Sequence, residues 1–305
     1  MTDRIFDQRS LIASLDDAAR QDLQSRNDRA GLIRLAAHVL LLAASGTWIM
    51  ASWPLWQGML FLHGVMLVFL FTAQHEATHG TAFASEWLNT WVARVAGVVL
   101  IVPPLWFRYF HFAHHRHTQD PDNDPELEGG KPETLAQYVF HVSGLPLWWA
   151  MIKVTLGNAT NRTMSAYVPE KATGRIRLEA RVMLTLYASL ALASFFVSST
   201  ALLWLWVIPA ILGQPVLRLY LLAEHGRCPM VANMLENSRT TLTNSAIRFI
   251  AWNMPYHAEH HAMPTVPFHK LPKLHEIAQS HLGSVSQGYG EFHKDYVDGL
   301  KTAKR

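Results

Sequence analysis

A single cysteine, Cys228, stands in 305 residues, so the chain can form no internal disulfide and has no CxxC metal or redox pair. Charge is also scarce. Only 16% of residues are charged, against roughly 25% in an average soluble domain. The balance of 26 basic and 23 acidic residues leaves a formal charge of only +3, which gives no reason to expect a nucleic-acid partner. Two stretches, Leu35 to His75 and Val182 to Leu217, hold no Asp, Glu, Lys or Arg at all. A helix crossing the roughly 30 Å hydrocarbon core of a bilayer needs about 20 residues. Each stretch is therefore long enough for two spans joined by a short turn. Residues 1–31 are polar and lack the apolar core of a cleavable leader, so the N-terminus is expected to stay in the cytoplasm.

The turns can be placed. ASWPLW, around Trp53 and Pro54, would join the first two spans, and SSTALLW, around Ser199, the second two. Neither carries Lys or Arg, whereas Arg26, Arg29, Arg34, Arg175, Arg177, Arg181, Arg218 and Arg227 gather at the opposite ends. The positive-inside rule then puts the turns outside and the rest of the chain in the cytoplasm. Two further apolar stretches fit a full crossing less well. Residues 94–108 are short and interrupted by Pro103 and Pro104, and read as re-entrant or interfacial. Residues 134–152 carry Gly144, Pro146 and the Trp148–Trp149 pair, and are expected to lie in the interface. The expected fold is all-α and integral to the membrane: four spans in two hairpins, interfacial helices and a cytoplasmic histidine-rich cap. It forms one domain over residues 1–305, with a polar tail over 282–305.

Histidine is abundant, with seventeen residues, and its placement is informative. His75 and His79, in QHEATHG, share a helix face at i, i+4 where the second span ends. His111, His114 and His115, in FHFAHHRH, repeat as i, i+3, i+4. His225 closes the fourth span, in LLAEHG. His257, His260 and His261, in WNMPYHAEHHAMP, repeat the i, i+3, i+4 pattern. All nine fall just beyond span ends on one side of the membrane. A single octahedral ion takes six ligands, so nine neutral imidazoles point to two metals with positions left open; imidazole suits iron, zinc and copper alike. Glu76, Glu224 and Glu259 stand beside these histidines and are expected to accept hydrogen bonds from the outward ring N–H groups.

The other histidines have plainer readings. His117 is rotated away from His115 and is expected near the site or at the surface. His38 and His63 lie inside spans and are expected to pack, neutral, against neighbouring helices. His141, His269, His275, His281 and His293 are isolated. Asp120, Asp122 and Asp124 are expected to cap a turn. A histidine-rich membrane protein could also be a metal transporter, but transport sites lie near the midplane and mark a polar path, and here the spans are free of charge.

HEATH, HFAHH and HAEHH resemble the three histidine boxes of the membrane fatty-acid desaturase and hydroxylase superfamily, and the two paired spans between them resemble its layout. The likeness runs from about Leu35 to Leu274, and NSRTT followed by WNMPYHAEHHAMP resembles bacterial members in particular. The resemblance implies a multi-pass protein of a bacterial inner membrane, with two non-haem irons held by the nine histidines and with O2 as co-substrate. It implies desaturation of a fatty acyl or lipid chain, with hydroxylation or oxidative decarboxylation to a terminal alkene as alternatives. Electrons would come from a separate carrier of ferredoxin, rubredoxin or cytochrome type, which Arg108, Arg116 and Arg239 could attract. Leu221 stands where acyl-CoA desaturases of the family carry an asparagine, one turn before His225, and this separates the chain from them.

Overall fold

The computed structural model describes residues 6–160 and 165–302. Two short helices come first, α1 (Gln8–Ser14) and α2 (Asp17–Leu23). Each is capped by an aspartate: Asp7 accepts from the Ser10 N–H at 2.8 Å, and Asp16 from the Ala19 N–H at 2.7 Å. The polar N-terminal segment is thus folded over much of its length; residues 1–5, like 303–305 of the expected polar tail, lie outside the described residues.

The apolar run begins with α3 (Asp28–Met50), whose first N–H groups are capped by Asn27. The chain turns at Trp53–Pro54, with left-handed φ at Ser52 and Leu55, into α4 (Trp56–Val68) and then α5 (Leu70–His79). A second long unit comprises α10 (Glu170–Phe196), a π-helical turn at Leu203–Val207, and α11 (Ile208–His225). Four units are long and apolar enough to cross a membrane: Asp17–Met50, Trp56–His79, Glu170–Phe196 and Leu203–His225. Their outward faces expose large apolar side chains such as Leu40, Leu55, Phe195, Phe196 and Ile211, which a lipid environment would cover. The two histidines within spans join helices. His38 Nε2 lies 2.7 Å from the Met66 carbonyl, and His63 bridges Ser45 Oγ and the Leu205 carbonyl at 2.7 and 3.0 Å.

Between these units, α6 (Glu86–Leu100) and α7 (Pro104–His117) meet at 101°. Such a bend strands helix-end N–H and C=O groups, which an apolar setting does not tolerate. Neighbouring helices supply partners. Tyr187 OH and Trp206 Nε1 donate to the Val98 and Val99 carbonyls, each at 2.7 Å, and Glu179 accepts the Leu105 N–H at 2.7 Å. Gly97 makes room for the fold-back, since a Cβ there would stand 2.6 Å from the Val102 oxygen. A milder bend of 58° joins α8 (Leu135–Val142), which opens on a Thr134–Gln137 capping box, to α9 (Leu145–Thr160).

After α11 come the short helices α12 (Met234–Asn237), α13 (Ser245–Ile250), α14 (His257–Ala262) and α15 (Leu271–Ala278), then α16 (Tyr289–Thr302). A two-residue parallel pairing of β1 (Thr240–Thr241) with β2 (Val285–Ser286) is the only sheet among the described residues. Their core, built on Leu235, Trp252, Met254, Phe268 and Leu274, is continuous with Leu11 and Leu23 of the N-terminal helices and with Ala73 and Ala77 of α5. The N-terminal and C-terminal segments thus close over the end of α5 that carries the first histidines.

Candidate metal centre

Four helix ends deliver the histidines. The last turn of α5 presents His75 and His79, and the last two turns of α7 present His111, His114 and His115. Helix α11 ends on His225, and α14 is a six-residue helix half made of His257, His260 and His261. Eight of them fall into two groups whose ring nitrogens lie within 4.8 Å of one another: His75, His79, His111, His115 and His260 form one, and His114, His225 and His261 the other. His257 adjoins the second group, its Nε2 2.9 Å from that of His225. The stacked rings of His115 and His261, 4.0 Å apart, join the two groups. His117 stays outside, half-exposed and facing Asp120 at 3.8 Å.

The donor chemistry fits cations. His225 Nδ1 faces the Asn237 carbonyl at 3.2 Å, and His114 Nδ1 faces the Asp124 carboxylate at 2.9 Å. Both oxygens only accept, so each Nδ1 carries a proton, and in a neutral ring the lone pair is then left on Nε2. Those two Nε2 atoms point at each other across 3.2 Å. Facing lone pairs repel unless a cation sits between them. Close pairs recur in the five-histidine group, His79 to His111 at 2.7 Å and His260 to His79 at 3.2 Å. Nitrogens at right angles, about 2.1 Å from one ion, would stand about 3.0 Å apart. Six buried ring nitrogens among the nine histidines, both of His115 included, have no hydrogen-bond partner. Burial first, and then repulsion from neighbouring imidazoles, holds His257, His260 and His261 well below the usual histidine range, which keeps them neutral and able to bind metal.

The three carboxylates do not serve the adjacent histidines. Glu76 accepts the Phe268 N–H at 2.8 Å and makes no bond to His75. Glu224 turns to His257, whose Nδ1 is 3.3 Å away, while His225 is oriented by a backbone carbonyl. Glu259, fully buried, pairs with His275 Nδ1 and the Thr240 hydroxyl, fastening the outer face of α14 to α15 and β1. His275, isolated in the sequence, is therefore part of the support for the site. Glu259→Ala is expected to lower stability by about 2–4 kcal/mol by orphaning both partners. Thermal unfolding in detergent would show it, and an unchanged melting temperature would refute the role.

Partners of other ring nitrogens come from distant segments. Thr118 Oγ1 lies 3.1 Å from His261 Nδ1. Asp124, buried, serves His114 while also capping its own turn, so its capping role is only half of its part. The acidic DPDNDPE run shortly after the second histidine cluster is the one sequence signal that marks it. Arg239 is not a free surface cation: it donates to the Ala223 and Gly226 carbonyls and closes the end of α11. A cleft of about 470 Å³ opens beside His79, lined in part by Arg26, Arg94, Arg108 and Arg175.

Fold and site together define a helical membrane protein whose buried histidine groups could each hold a metal ion. The family model for fatty acid desaturases matches residues 50–292, and the chain belongs to the fatty acid desaturase family. It is accordingly an oxidoreductase, which leaves the transporter reading without support. The relatives are distant. The chain is 25% identical over 260 residues to the sphingolipid delta(4)-desaturase/C4-monooxygenase DES2 of Mus musculus, covering 84% of this chain and 74% of that one. It is 26% identical over 245 residues to the zeaxanthin 4-ketolase of Chlamydomonas reinhardtii, covering 75% of this chain but only 46% of the ketolase. With an sn-1 acyl-lipid omega-3 desaturase (ferredoxin) of Synechocystis sp., identity is 22% over 249 residues, covering 76% and 69%.

Proposed function

We propose that the protein is an O2-dependent di-iron oxidase that introduces a double bond into a fatty acyl or lipid chain. The observation that carries this is the convergence of nine histidines, from four helix ends, into two adjoining groups. In this reading His75, His79, His111, His115 and His260 hold one iron, and His114, His225, His257 and His261 the other. When bound, the irons would supply with O2 the oxidising power needed to cleave an unactivated C–H bond. The chain's own part is to hold and to exclude. Asp124 and the Asn237 carbonyl keep the protons of His114 and His225 on Nδ1, leaving Nε2 free to bind. Trp252, Met254 and Phe268 are buried from water in the same core that takes in Ala262 of α14. The cleft beside His79 gives the five-histidine group an approach from outside.

One membrane domain with both ends and the histidine face in the cytoplasm, in a bacterial inner membrane, completes the reading. The basic ends of the apolar runs support it. The four long apolar units and the packing of α3 against α4 support it too; α10 packs against α9 and α11 against α4, and the reading keeps the bent pairs α6–α7 and α8–α9 in the interface. Electrons would come from a separate carrier of ferredoxin, rubredoxin or cytochrome type; the ferredoxin in the name of the Synechocystis relative favours the first. Hydroxylation is a second reading, favoured by the name of the mouse relative, which pairs desaturase with monooxygenase.

Mass spectrometry of the lipids of a host expressing the chain together with a ferredoxin and its reductase tests both. Desaturation gives a species lighter by two hydrogens than a host lipid, and hydroxylation one heavier by one oxygen. Neither species should form with the metal-site variant discussed below. No lipid change in several hosts with the carrier present would count against a lipid substrate.

A further inference from the structure

One carboxylate at the site belongs to none of the histidine clusters. Glu126 lies in a single 3-10 turn, Pro125–Leu127, and its Oε2 is 3.4 Å from His114 Nε2. That nitrogen carries the lone pair aimed at His225 Nε2. A carboxylate oxygen is itself only an acceptor, so the Nε2 of a neutral His114 ring has acceptors on two sides, His225 Nε2 and Glu126 Oε2. The turn looks built for this. Asp124 Oδ1 accepts both the His114 Nδ1 proton and the Glu126 backbone N–H, each at 2.9 Å. Its Oδ2 accepts the Gln119 N–H, also at 2.9 Å. One buried aspartate therefore fixes the outer nitrogen of His114 and sets Glu126 against the inner one. Lys131 pairs with Glu126 Oε1 and leaves Oε2 turned to the histidines.

We propose that Glu126 supplies an anionic oxygen ligand to the metal held by His114, His225, His257 and His261. The two metal positions then differ in kind: five imidazoles at one, imidazoles and a carboxylate at the other. A hard oxygen ligand suits an iron ion, and its charge offsets part of that of the cation. The inference rests on the two-metal reading above, and its test separates the two.

The full-length protein, purified in detergent and stripped of metal, is reloaded anaerobically with ferrous iron alone, and iron per chain is counted by atomic emission. The wild type should hold two ions. Glu126→Gln keeps the size of the side chain and a hydrogen bond to Lys131 but removes the charge; it should hold one ion tightly and lose the second to a chelator at least tenfold faster. Lys131→Met removes the ion pair and leaves the carboxylate, and should hold two. A cobalt-loaded sample gives a second readout, since loss of the carboxylate should change the visible bands of one metal and leave those of the other. Two tightly held ions and unchanged cobalt bands in Glu126→Gln would overturn the assignment while leaving the two-metal reading intact. Equal losses in Glu126→Gln and Lys131→Met would overturn it too, by showing that the ion pair matters only to the turn. Fewer than two ions in the wild type would overturn the two-metal reading and this inference with it.

Discussion

Protein carrying His260→Ala is expected to insert into the membrane as the wild type does, to lose metal, and to convert no substrate. His260 is the member of the five-histidine group that α14 contributes: its ring centroid is 4.7 Å from that of His75, 4.6 Å from His79 and 4.9 Å from His115. Its Nε2 is 3.2 Å from that of His79. Removing it opens the group on the side that α14 closes. Losing only a hydrogen-bond partner of a metal-binding histidine typically costs 10–100-fold, so loss of the ring itself should exceed about 10³-fold in turnover. Insertion should persist because α14 lies apart from the four long apolar units. His117→Ala provides the contrast. It is a histidine of the same rich segment, but half-exposed and turned towards Asp120, and its loss should leave iron content and turnover unchanged. Iron per chain and product formed, measured on the same membranes, decide between them. Full activity in His260→Ala would refute the ligand assignment.

The histidine positions were legible because metal binding and helical geometry impose the same spacing. Residues i, i+3 and i+4 share a face, so HFAHH and HAEHH declare themselves without a structure. The same rule shows why Glu76 and Glu259 misled, whereas Glu224 does face a histidine of the site, His257. Residues one or two apart on a helix do not face each other. Glu76 follows His75 and Glu259 lies between His257 and His260, so each must point away from the histidines beside it. Glu76 reaches the backbone of Phe268, and Glu259 reaches α15. The true partners, Asp124, Thr118 and the Asn237 carbonyl, belong to other segments, and Asn237 and Thr118 meet only because α12 and the end of α7 pack together. No periodicity encodes such meetings. The membrane-scale plan was easier to read, since length and the absence of charge set it. The break at Pro103–Pro104 was visible too. Its 101° angle was not, for it depends on Tyr187, Trp206 and Glu179, contributed by residues more than seventy positions away.

The same limit hides what holds the long helices in register, and a second large effect is expected there. Gly64 of α4 and Gly213 of α11 sit backbone to backbone. A Cβ on Gly64 would stand 2.0 Å from the Pro209 oxygen, and one on Gly213 would stand 2.2 Å from the Gly64 carbonyl carbon and oxygen. In lipid, burying apolar surface gives helices little reason to associate. Close approach through small residues supplies the packing instead. The obstruction is main chain, so no rotamer change relieves it; the helices must separate. Separation would also stretch the 3.0 Å contact between His63 Nε2 and the Leu205 carbonyl at the same crossing. Helix α11 ends on His225 and the α4–α5 unit ends on His79, so the two histidine groups would be pulled apart with their helices. Gly64→Leu should therefore exceed the 1–3 kcal/mol typical of overpacking in a core. It should leave little monodisperse protein after detergent extraction and less than wild-type iron in what remains. Gly58→Ala, on the same helix but with nothing within 4 Å of the added carbon, should match the wild type. Size-exclusion profiles and iron counts of the two variants make the comparison. A Gly64→Leu protein with normal yield and full iron would show that this crossing does not position the metal-binding helix ends.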